Sequence, residues 1–310
     1  MDISVIICTY NRVDNLTDCF NCLATQEITG NFTWEVLLVD NNSSDQTKQF
    51  TLDYAAQANF KLRYSFEAQQ GLSHARNQGV NASNSEILIF IDDDIRVSNN
   101  WLQSLVNTFN TQQCDAAGGR IHIESPAKLP KWISFDMYGF LGHQDYGNEP
   151  RQMDGYKEFP FGGNMAIKRA VFEKIGLFDT NLGRKGTGLK KEELFKGEET
   201  DLFHRLVDEG GRIYYQPEAL VHHKILAHQL KPSFFLTLHN NAGLLDARKD
   251  LMSYRRVLLG IPLFIYPQFV RAVANYIKLC VTQGPNSAFR QLMTINYFLG
   301  VMGGYYKKQY

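Results

Sequence analysis

Residues 86–94 read EILIFIDDD, five large apolar side chains in a row that end in three consecutive aspartates. A short apolar run with polar residues at its ends is typical of a strand buried on both faces. ISVIIC at 3–8 and WEVLLVD at 34–40 repeat this pattern nearer the N-terminus. Helical patterns separate the runs, at 16–24, at 53–58 and from 73 onward. The alternation predicts an α/β fold with a mostly parallel, Rossmann-like central sheet between helices.

Acidic residues follow two of these strands, with Asp40 closing one and Asp92–Asp94 the other. Ligands of open α/β sheets collect beyond the carboxyl ends of the strands, so we expect one crevice to hold both groups. Two carboxylates about 4 Å apart repel by about 4 kcal/mol at an effective dielectric of 20. Oxygen ligands of this kind suit Mn²⁺ or Mg²⁺ shared with substrate phosphates. A solvated acidic turn and a polymerase or nuclease metal site are still open at this point.

Composition excludes some classes of protein. Lysine plus arginine and aspartate plus glutamate both total 32 in 310 residues, which argues against a nucleic-acid partner held by a broad basic surface. The five cysteines are scattered and the N-terminus enters a strand at once, so we expect a reducing, cytoplasmic setting. Cys19 and Cys22 continue the apolar stripe of Leu16, Phe20 and Leu23, which favours a buried helix face over a metal or redox site.

Six ordered motifs carry a family resemblance: SVIICTYNR at 4–12, VLLVDNNSSD at 36–45, GLSHARNQGV at 71–80, FIDDD at 90–94, GGNMAIKR at 162–169 and GEETDLFHRL at 197–206. Over residues 3–225 the chain resembles family 2 glycosyltransferases of the GT-A fold, with features similar to bacterial, notably cyanobacterial, exopolysaccharide enzymes. The resemblance implies a UDP-, GDP- or dTDP-linked sugar donor and a saccharide or lipid-linked saccharide acceptor. It also implies inversion at the sugar carbon and a Mn²⁺ or Mg²⁺ cofactor.

The same resemblance implies roles for individual residues. The donor nucleotide would meet Thr9, Tyr10, Asn11, Arg12, Asp40, Arg76, Asp92 and Asp93. The metal would be held by Asp94, Asp92 and His223, the last taking the histidine place in PEALVHH while His222 sits where an aromatic residue is common. The donor sugar or the acceptor would meet Gly163 and Asn164.

The catalytic base departs from the family pattern. The usual Gly-Glu-Asp signature is here Gly197, Glu198, Glu199, so glutamate occupies the place where aspartate commonly acts. A base must take the proton of the attacking hydroxyl, and we assign this role to Glu199, with Glu198 as the second candidate. Acids that merely favour the start of a helix are the alternative, and Asp201 fits that alternative well.

Two competing functions remain. A sugar nucleotidyltransferase would carry a glycine-rich phosphate loop after the first strand, where this chain has CTYNR at 8–12. A nucleotide-sugar-binding subunit without catalysis is disfavoured by the D-x-D pair and the acidic base position. The Gly- and Lys-rich segment 183–199 suggests a loop that orders over bound donor, and a merely solvated loop is equally compatible with it.

The domain organisation follows from a change in composition near residue 225. We expect a catalytic domain at 1–225, with a nucleotide-binding half at about 1–118 and an acceptor-side half at about 119–225. Residues 226–310 then form an amphipathic helical extension whose charges interrupt every apolar stretch before it could span a bilayer. This extension would pack on the catalytic domain, form a dimer, or touch the inner face of the plasma membrane peripherally.

Overall fold

The computed structural model describes residues 2–186 and 190–309. These fall into two compact units. The first takes in the described parts of 1–124, 142–187 and 196–224, and the second takes in those of 125–141, 188–195 and 225–310. Residues 187–189, within the loop expected to order over the donor, lie outside the described residues.

The first unit is built on one twisted sheet. Its strands are β1 Asp2–Thr9, β2 Thr33–Asp40, β3 Lys61–Phe66, β4 Ile87–Asp92, β5 Ile95–Val97, β6 Ala116–Glu124, β7 Arg151–Met153, β8 Met165–Lys168 and β9 Ile213–Lys224. Among the described residues the order is β3-β2-β1-β4-β8-β6-β9-β5, with β7 beside β9. Strands β3, β2, β1 and β4 are parallel to one another, while β8, β7 and β5 enter antiparallel. Because β6 is antiparallel to β8 and parallel to β9, these two strands share the direction of β4. The sheet is therefore mixed but mostly parallel, as predicted.

Helices cover both faces of this sheet, as the continuous apolar strands require. They are α1 Val13–Ala24, α2 Thr47–Ala55, α3 Leu72–Ala82, α4 Trp101–Thr111, α5 Arg169–Ile175 and α6 Glu198–Asp208. Val5 and Ile7 of β1 pack into one core cluster with Leu16 of α1, while Ile6 packs into another with Phe203 of α6. The α/β fold with a central sheet is thus confirmed, and a strand with no solvated face explains why β1 shows no alternation.

Helix α1 carries the paired cysteines as expected. Cys19 is buried with Leu16, Phe20 and Leu23, and the Cys22 thiol donates to the Cys19 carbonyl oxygen at 3.0 Å. Both cysteines are free thiols. The stripe is therefore a helix face packed on the sheet.

The second unit is helical. It contains α7 Pro232–Lys249, a two-stranded hairpin of β10 Val257–Leu258 and β11 Ile261–Pro262, α8 Ile265–Gln283 and α9 Pro285–Gln309. Helices α7 and α9 approach closely because a glycine of each faces the backbone of the other. A Cβ added at Gly243 would lie 2.0 Å from the Tyr297 carbonyl oxygen, and one added at Gly300 would lie 1.9 Å from the Asn240 carbonyl oxygen. Within the described residues, no helix combines the length and apolar character that a membrane span needs.

Segment 125–141 belongs to this helical unit. Its Trp132 ring lies 4.3 Å from the ring of Phe289 on α9 and 5.1 Å from that of Phe235 on α7, between centroids. The expected acceptor-side half at 119–225 is therefore interrupted, because these aromatic contacts group 125–141 with residues that follow 225. Sequence order alone does not reveal such a grouping.

Candidate active site

The acidic ends of the strands meet at one edge of the sheet, as predicted. The end of β1 lies opposite Asp40 of β2, and Asp92 of β4 lies beside it on the other side. Antiparallel pairing of β5 with β9 then brings His223 next to Asp94. Residues far apart in the chain thus reach one place because parallel strands end together and one late strand returns beside them.

The side chains of the three aspartates differ in burial and in hydrogen-bond partners. Asp93 is turned inward, where the Thr9 hydroxyl donates to it at 2.6 Å and the Arg12 guanidinium at 3.1 Å. Asp94 takes a second bond from Arg12 at 3.0 Å, and its Oδ1 lies 3.3 Å from Nε2 of His223. Asp92 is the accessible one, with 38% of its side chain exposed against 6% for Asp94. Arg12 thus joins Asp93 with Asp94, and a metal held by Asp92 together with Asp94 stays a prediction.

Titration of these carboxyls reflects the shortage of positive charge. Burial raises the pKa of Asp93 to about 6 although Arg12 and Thr9 lower it. Burial also raises the pKa of Asp92, and the Arg76 cation only partly offsets this. At Asp94 burial acts in the same direction, but His223 and Arg12 outweigh it and lower the pKa. Arg12, Arg76 and His223 of the chain itself therefore balance part of this acidic charge.

A buried cation joins this acidic group to the proposed base. Arg76 of α3 is 2% exposed, and its Nη1 lies 3.1 Å from Glu198 Oε1 and 3.3 Å from Glu199 Oε1. Its Nη2 lies 3.7 Å from Oδ1 of Asp92. The guanidinium also packs over the Phe178 ring, 5.5 Å from its centroid. Arg76 is thus an internal counter-ion for three carboxyl groups.

Gly162 is the close neighbour that this ion cluster requires. A Cβ at this position would lie 2.0 Å from Arg76 Nη2 and 2.3 Å from Glu199 Oε1. Any side chain at Gly162 would therefore displace the pair. The adjacent Gly163 lies near Asp92 as well, since its Cβ would be 3.6 Å from Asp92 Oδ2.

The two glutamates differ in environment although they are adjacent. Both stand in the first turn of α6, after Gly197 in the left-handed conformation with φ 112°. Burial and the neighbouring Glu199 charge raise the pKa of Glu198 to about 7. At Glu199 burial is outweighed by Arg76 and by backbone hydrogen bonds, which lower the pKa. Glu199 is 20% exposed and Glu198 only 3%. Glu199 is thus the ionised and accessible member.

The side chains at this sheet edge supply only part of the ligand set that a divalent cation needs. Oδ1 of Asp94 is buried and accepts no hydrogen bond of good geometry, and it faces Nε2 of His223 at 3.3 Å. In residues 2–186 and 190–309 no three His, Cys, Asp or Glu side chains form a complete metal cage. Two carboxylates completed by phosphate oxygens are the set that Mg²⁺ commonly uses with nucleotides. His223, rather than His222, is the histidine beside them, since His222 instead contacts Glu124 at 3.1 Å.

Other candidate residues support the loops instead of facing the acidic cluster. Asn11, with φ 52°, accepts the Ser44 N–H at 2.7 Å on its side-chain oxygen. Asp40 is buried, and its two oxygens accept the Ser43 N–H and the Tyr64 hydroxyl, both at 2.8 Å. Both residues therefore order the loop that follows β2. Tyr10 is half-buried in the loop after β1.

Asn164 is not brought together with the other candidates. It is fully buried, its side-chain oxygen accepts the Trp101 indole N–H at 2.9 Å, and its amide donates to the carbonyl oxygens of Arg120 and Ala219. The hydrogen bonds of the Asn164 side chain are thus made within the core of the fold. The Asn164 side chain therefore links α4 with β6 and β9, and its expected contact with the donor sugar or the acceptor stays a prediction.

Two cations near the site escaped the sequence analysis. The charge of Arg184 helps to lower the pKa of Asp94, and at Asp92 it offsets part of the rise that burial causes. Lys196 keeps an exposed side chain, yet the protein around it and the Arg184 charge lower its pKa to about 8. The only signal for them was the basic composition of segment 183–199, which does not say which cation turns toward the acids.

Comparison with known proteins places these features in a family. The sequence profile of Glycosyl transferase family 2 matches residues 4–176. The chain is 25% identical to a glucosyl-dolichyl phosphate glucuronosyltransferase of Haloferax volcanii over 237 residues, 74% of this chain and 71% of that protein. It is 26% identical to the succinoglycan biosynthesis protein ExoM of Rhizobium meliloti, over 73% of this chain and 67% of the relative.

Solved structures show the same fold at low sequence identity. The mannosyltransferase PcManGT from Pyrobaculum calidifontis, in complex with GDP-Man and Mn²⁺, superposes with a TM-score of 0.62 at 15% identity over 99% of this chain and 87% of that one. TarS 1–349 of S. aureus in complex with UDP-GlcNAc gives 0.54 at 17% identity, over 100% and 92%. The fold is therefore GT-A, and with more than half of its residues matched by the family profile, this chain belongs to glycosyl transferase family 2.

Proposed function

We propose that this family 2 glycosyltransferase moves a sugar from a nucleoside diphosphate to an acceptor hydroxyl with inversion at the sugar carbon. The observation that carries the proposal is the buried guanidinium of Arg76, which contacts Glu198 and Glu199 on one side and Asp92 on the other. One internal cation thereby couples a carboxylate suited to proton removal with the carboxylate on the donor side. Such an arrangement serves a single displacement, in which the base and the leaving group act on opposite faces of the sugar.

Glu199 is the base in this proposal. A general base must be ionised at the working pH and must reach the acceptor proton, and of the two glutamates Glu199 combines a lowered pKa with access to solvent. Glu198 is nearly buried, and its raised pKa of about 7 means that it holds its proton over much of the neutral range. Glu198 is therefore a partner of the base, and the extra methylene relative to aspartate extends the Glu199 carboxylate toward the acceptor.

The donor side is assigned to the edge where β1, β2 and β4 end. Thr9 and Arg12 fix Asp93 and Asp94, and the loop containing Tyr10 and Asn11 would border the nucleotide. Asp92 and Asp94, with His223, would hold Mn²⁺ or Mg²⁺ together with the diphosphate. When bound, the cation would stabilise charge on the departing diphosphate as a Lewis acid. The Arg184 and Lys196 cations would add positive charge on the same side.

For the acceptor we propose a saccharide or a lipid-linked saccharide in the synthesis of a surface or exported polysaccharide. Support comes from relatives whose names state a dolichyl phosphate-linked sugar and succinoglycan biosynthesis. We further propose a cytoplasmic enzyme, with the C-terminal helices available for peripheral contact with the inner face of the plasma membrane or for a dimer.

A thermal-shift screen of UDP, GDP, dTDP and their sugars, each with and without Mn²⁺, tests the donor assignment. We expect one nucleotide class to raise the melting temperature, and to do so more strongly with the cation. A protein that no nucleotide stabilises would contradict the proposal. Incubating the stabilising donor with an acceptor panel then separates the alternatives. Donor binding without hydrolysis or transfer would indicate a non-catalytic subunit, and synthesis of the donor from a nucleoside triphosphate would indicate a nucleotidyltransferase.

A further inference from the structure

The C-terminal part of the chain has a strongly one-sided charge. Residues 251–310 contain seven lysines and arginines and no aspartate or glutamate, although the whole chain has 32 residues of each sign. Among the described residues, no carboxylate lies within ion-pair distance of Arg255, Arg256, Arg271 or Lys278. Arg290 of this region does pair, with Asp136. This segment therefore presents uncompensated positive charge to the solvent.

The same segment concentrates exposed apolar side chains. Of the seventeen large apolar residues exposed in the described parts of the chain, ten lie between Leu251 and Val281. Scattered apolar residues on a surface need no explanation, but a local concentration indicates an interaction site. Exposed apolar groups and unpaired cations thus occur together in one stretch of about 30 residues.

At the hairpin tip, an exposed leucine has an unfavourable backbone conformation. β10 and β11 pair Leu258 with Ile261, which leaves Leu259 and Gly260 as a two-residue turn with φ of 51° and 74°. Such turns favour asparagine or glycine at both places, because a leucine with positive φ is strained. Leu259 nevertheless stands there, with 66% of its surface exposed. Strain kept at an exposed apolar tip is a reason to look for a function of that tip.

Helix α8 continues the surface from this hairpin. The Tyr266 hydroxyl donates to the Leu258 carbonyl oxygen at 2.9 Å, which ties the hairpin to the first turn of the helix. Val270, Ile277 and Val281 are all exposed, and their spacing of seven and four residues places them on one helix face. Arg271 and Lys278 each follow a member of this stripe directly, and both are exposed.

We propose that the hairpin 257–262 and the exposed face of α8 form a docking surface for a bilayer that contains anionic lipid. Apolar side chains at the tip and along the helix would enter the interface, while the flanking cations would meet lipid phosphates. Charge complementarity selects this occupant: two copies of the chain would bring like charges together, whereas an anionic bilayer compensates them. The surface is apolar only along a stripe, as suits lying on a membrane and not crossing it.

Flotation of the full-length protein with vesicles tests this surface without any sugar donor, so its outcome is separate from that of the transfer reaction. We expect binding to phosphatidylcholine vesicles that contain phosphatidylglycerol, weak binding to phosphatidylcholine alone, and release at high salt. Arg255→Gln with Arg256→Gln should weaken binding about 30-fold, at about 1 kcal/mol for each cation near the surface. Lys48→Gln with Lys157→Gln, two exposed cations of the first unit, is the matched control and should bind as wild type.

Leu259→Asn is the second variant, and it is chosen because it should not destabilise the fold. Asparagine suits the positive φ, so we expect an unchanged or higher melting temperature together with about tenfold weaker vesicle binding. Leu52→Asn, at an exposed leucine of α2, is its control. Equal binding of wild type and Leu259→Asn, or no binding of wild type to anionic vesicles, would overturn the proposal. A dimer in sedimentation that Leu259→Asn dissociates, without vesicle binding, would instead assign the surface to a second copy and also overturn it.

Discussion

Replacing Gly162 by alanine would move the two side chains on which the proposed chemistry depends. The added Cβ would lie 2.0 Å from Arg76 Nη2 and 2.3 Å from Glu199 Oε1, whereas ordinary contact begins near 3.4 Å. These atoms must therefore retreat by about 1.4 and 1.1 Å, which separates the base from its counter-ion or turns it away from the acceptor. Because both atoms end flexible side chains, the backbone can stay in place.

A misplacement of about 1 Å in a catalytic group can cost about 100-fold in rate. We therefore expect Gly162→Ala to lower kcat for transfer by about 100-fold, while the donor binds with a smaller change because the β1, β2 and β4 edge is not displaced directly. The assay is release of nucleoside diphosphate with the donor that the thermal-shift screen identifies, alongside donor titration by calorimetry.

Gly303→Ala is the matched control. Gly303 lies within α9, and an added Cβ there meets open space. Alanine is favoured over glycine within a helix by about 0.5–1 kcal/mol, so this variant should melt at a higher temperature and turn over as wild type. Wild-type turnover of a soluble, folded Gly162→Ala protein would refute the role given to the Arg76–Glu199 pair.

Three further predictions address the acidic residues. Glu199→Gln should abolish transfer and leave donor binding by calorimetry largely intact, and near-normal rates would remove Glu199 as the base. Asp94→Ala should lose most turnover and the dependence of donor binding on Mn²⁺, so cation dependence that persists would exclude Asp94 as a ligand. Because the pKa of Glu198 is about 7 in the native protein against an ordinary 4.5, the native state keeps a proton that the unfolded state releases, and stability from this group falls as pH rises through that interval. The melting temperature of wild type relative to Glu198→Gln should therefore decrease between about pH 5 and about pH 8, and a pH-independent difference would contradict the shift.

The sequence was sufficient for the sheet edge and for the acids placed on it. Apolar strands that end in Asp40 and Asp92 must finish together if the strands are parallel and adjacent, and the pairing of β1 with β2 and β4 confirms this. Local pattern and the rules of α/β folds decide such features, because each depends on one strand and its neighbour. The buried cysteine stripe of α1 was predictable for the same reason.

Other features depend on contacts between distant segments. Nothing near Arg76 in the chain indicates that its charge is met by Glu198 and Glu199, which follow it by 122 and 123 residues. Asn164 is adjacent to a motif glycine pair, yet the Trp101 indole takes its side-chain oxygen. Arg12 holds two aspartates in place, which its position in the TYNR loop does not indicate, and its contact with the nucleotide stays a prediction. Side-chain partners of this kind are set by packing, which periodicity and motif order do not encode.

Calorimetric titration of nucleoside diphosphate into the folded protein tests the central claim most directly, since that claim is that Asp92 and Asp94 accept a divalent ion and a diphosphate together. We expect heat of binding for one nucleotide when Mn²⁺ is present, much weaker binding without the cation, and loss of the cation effect in Asp94→Ala. A well-folded protein that binds neither the ion nor any of the three nucleotides would contradict it.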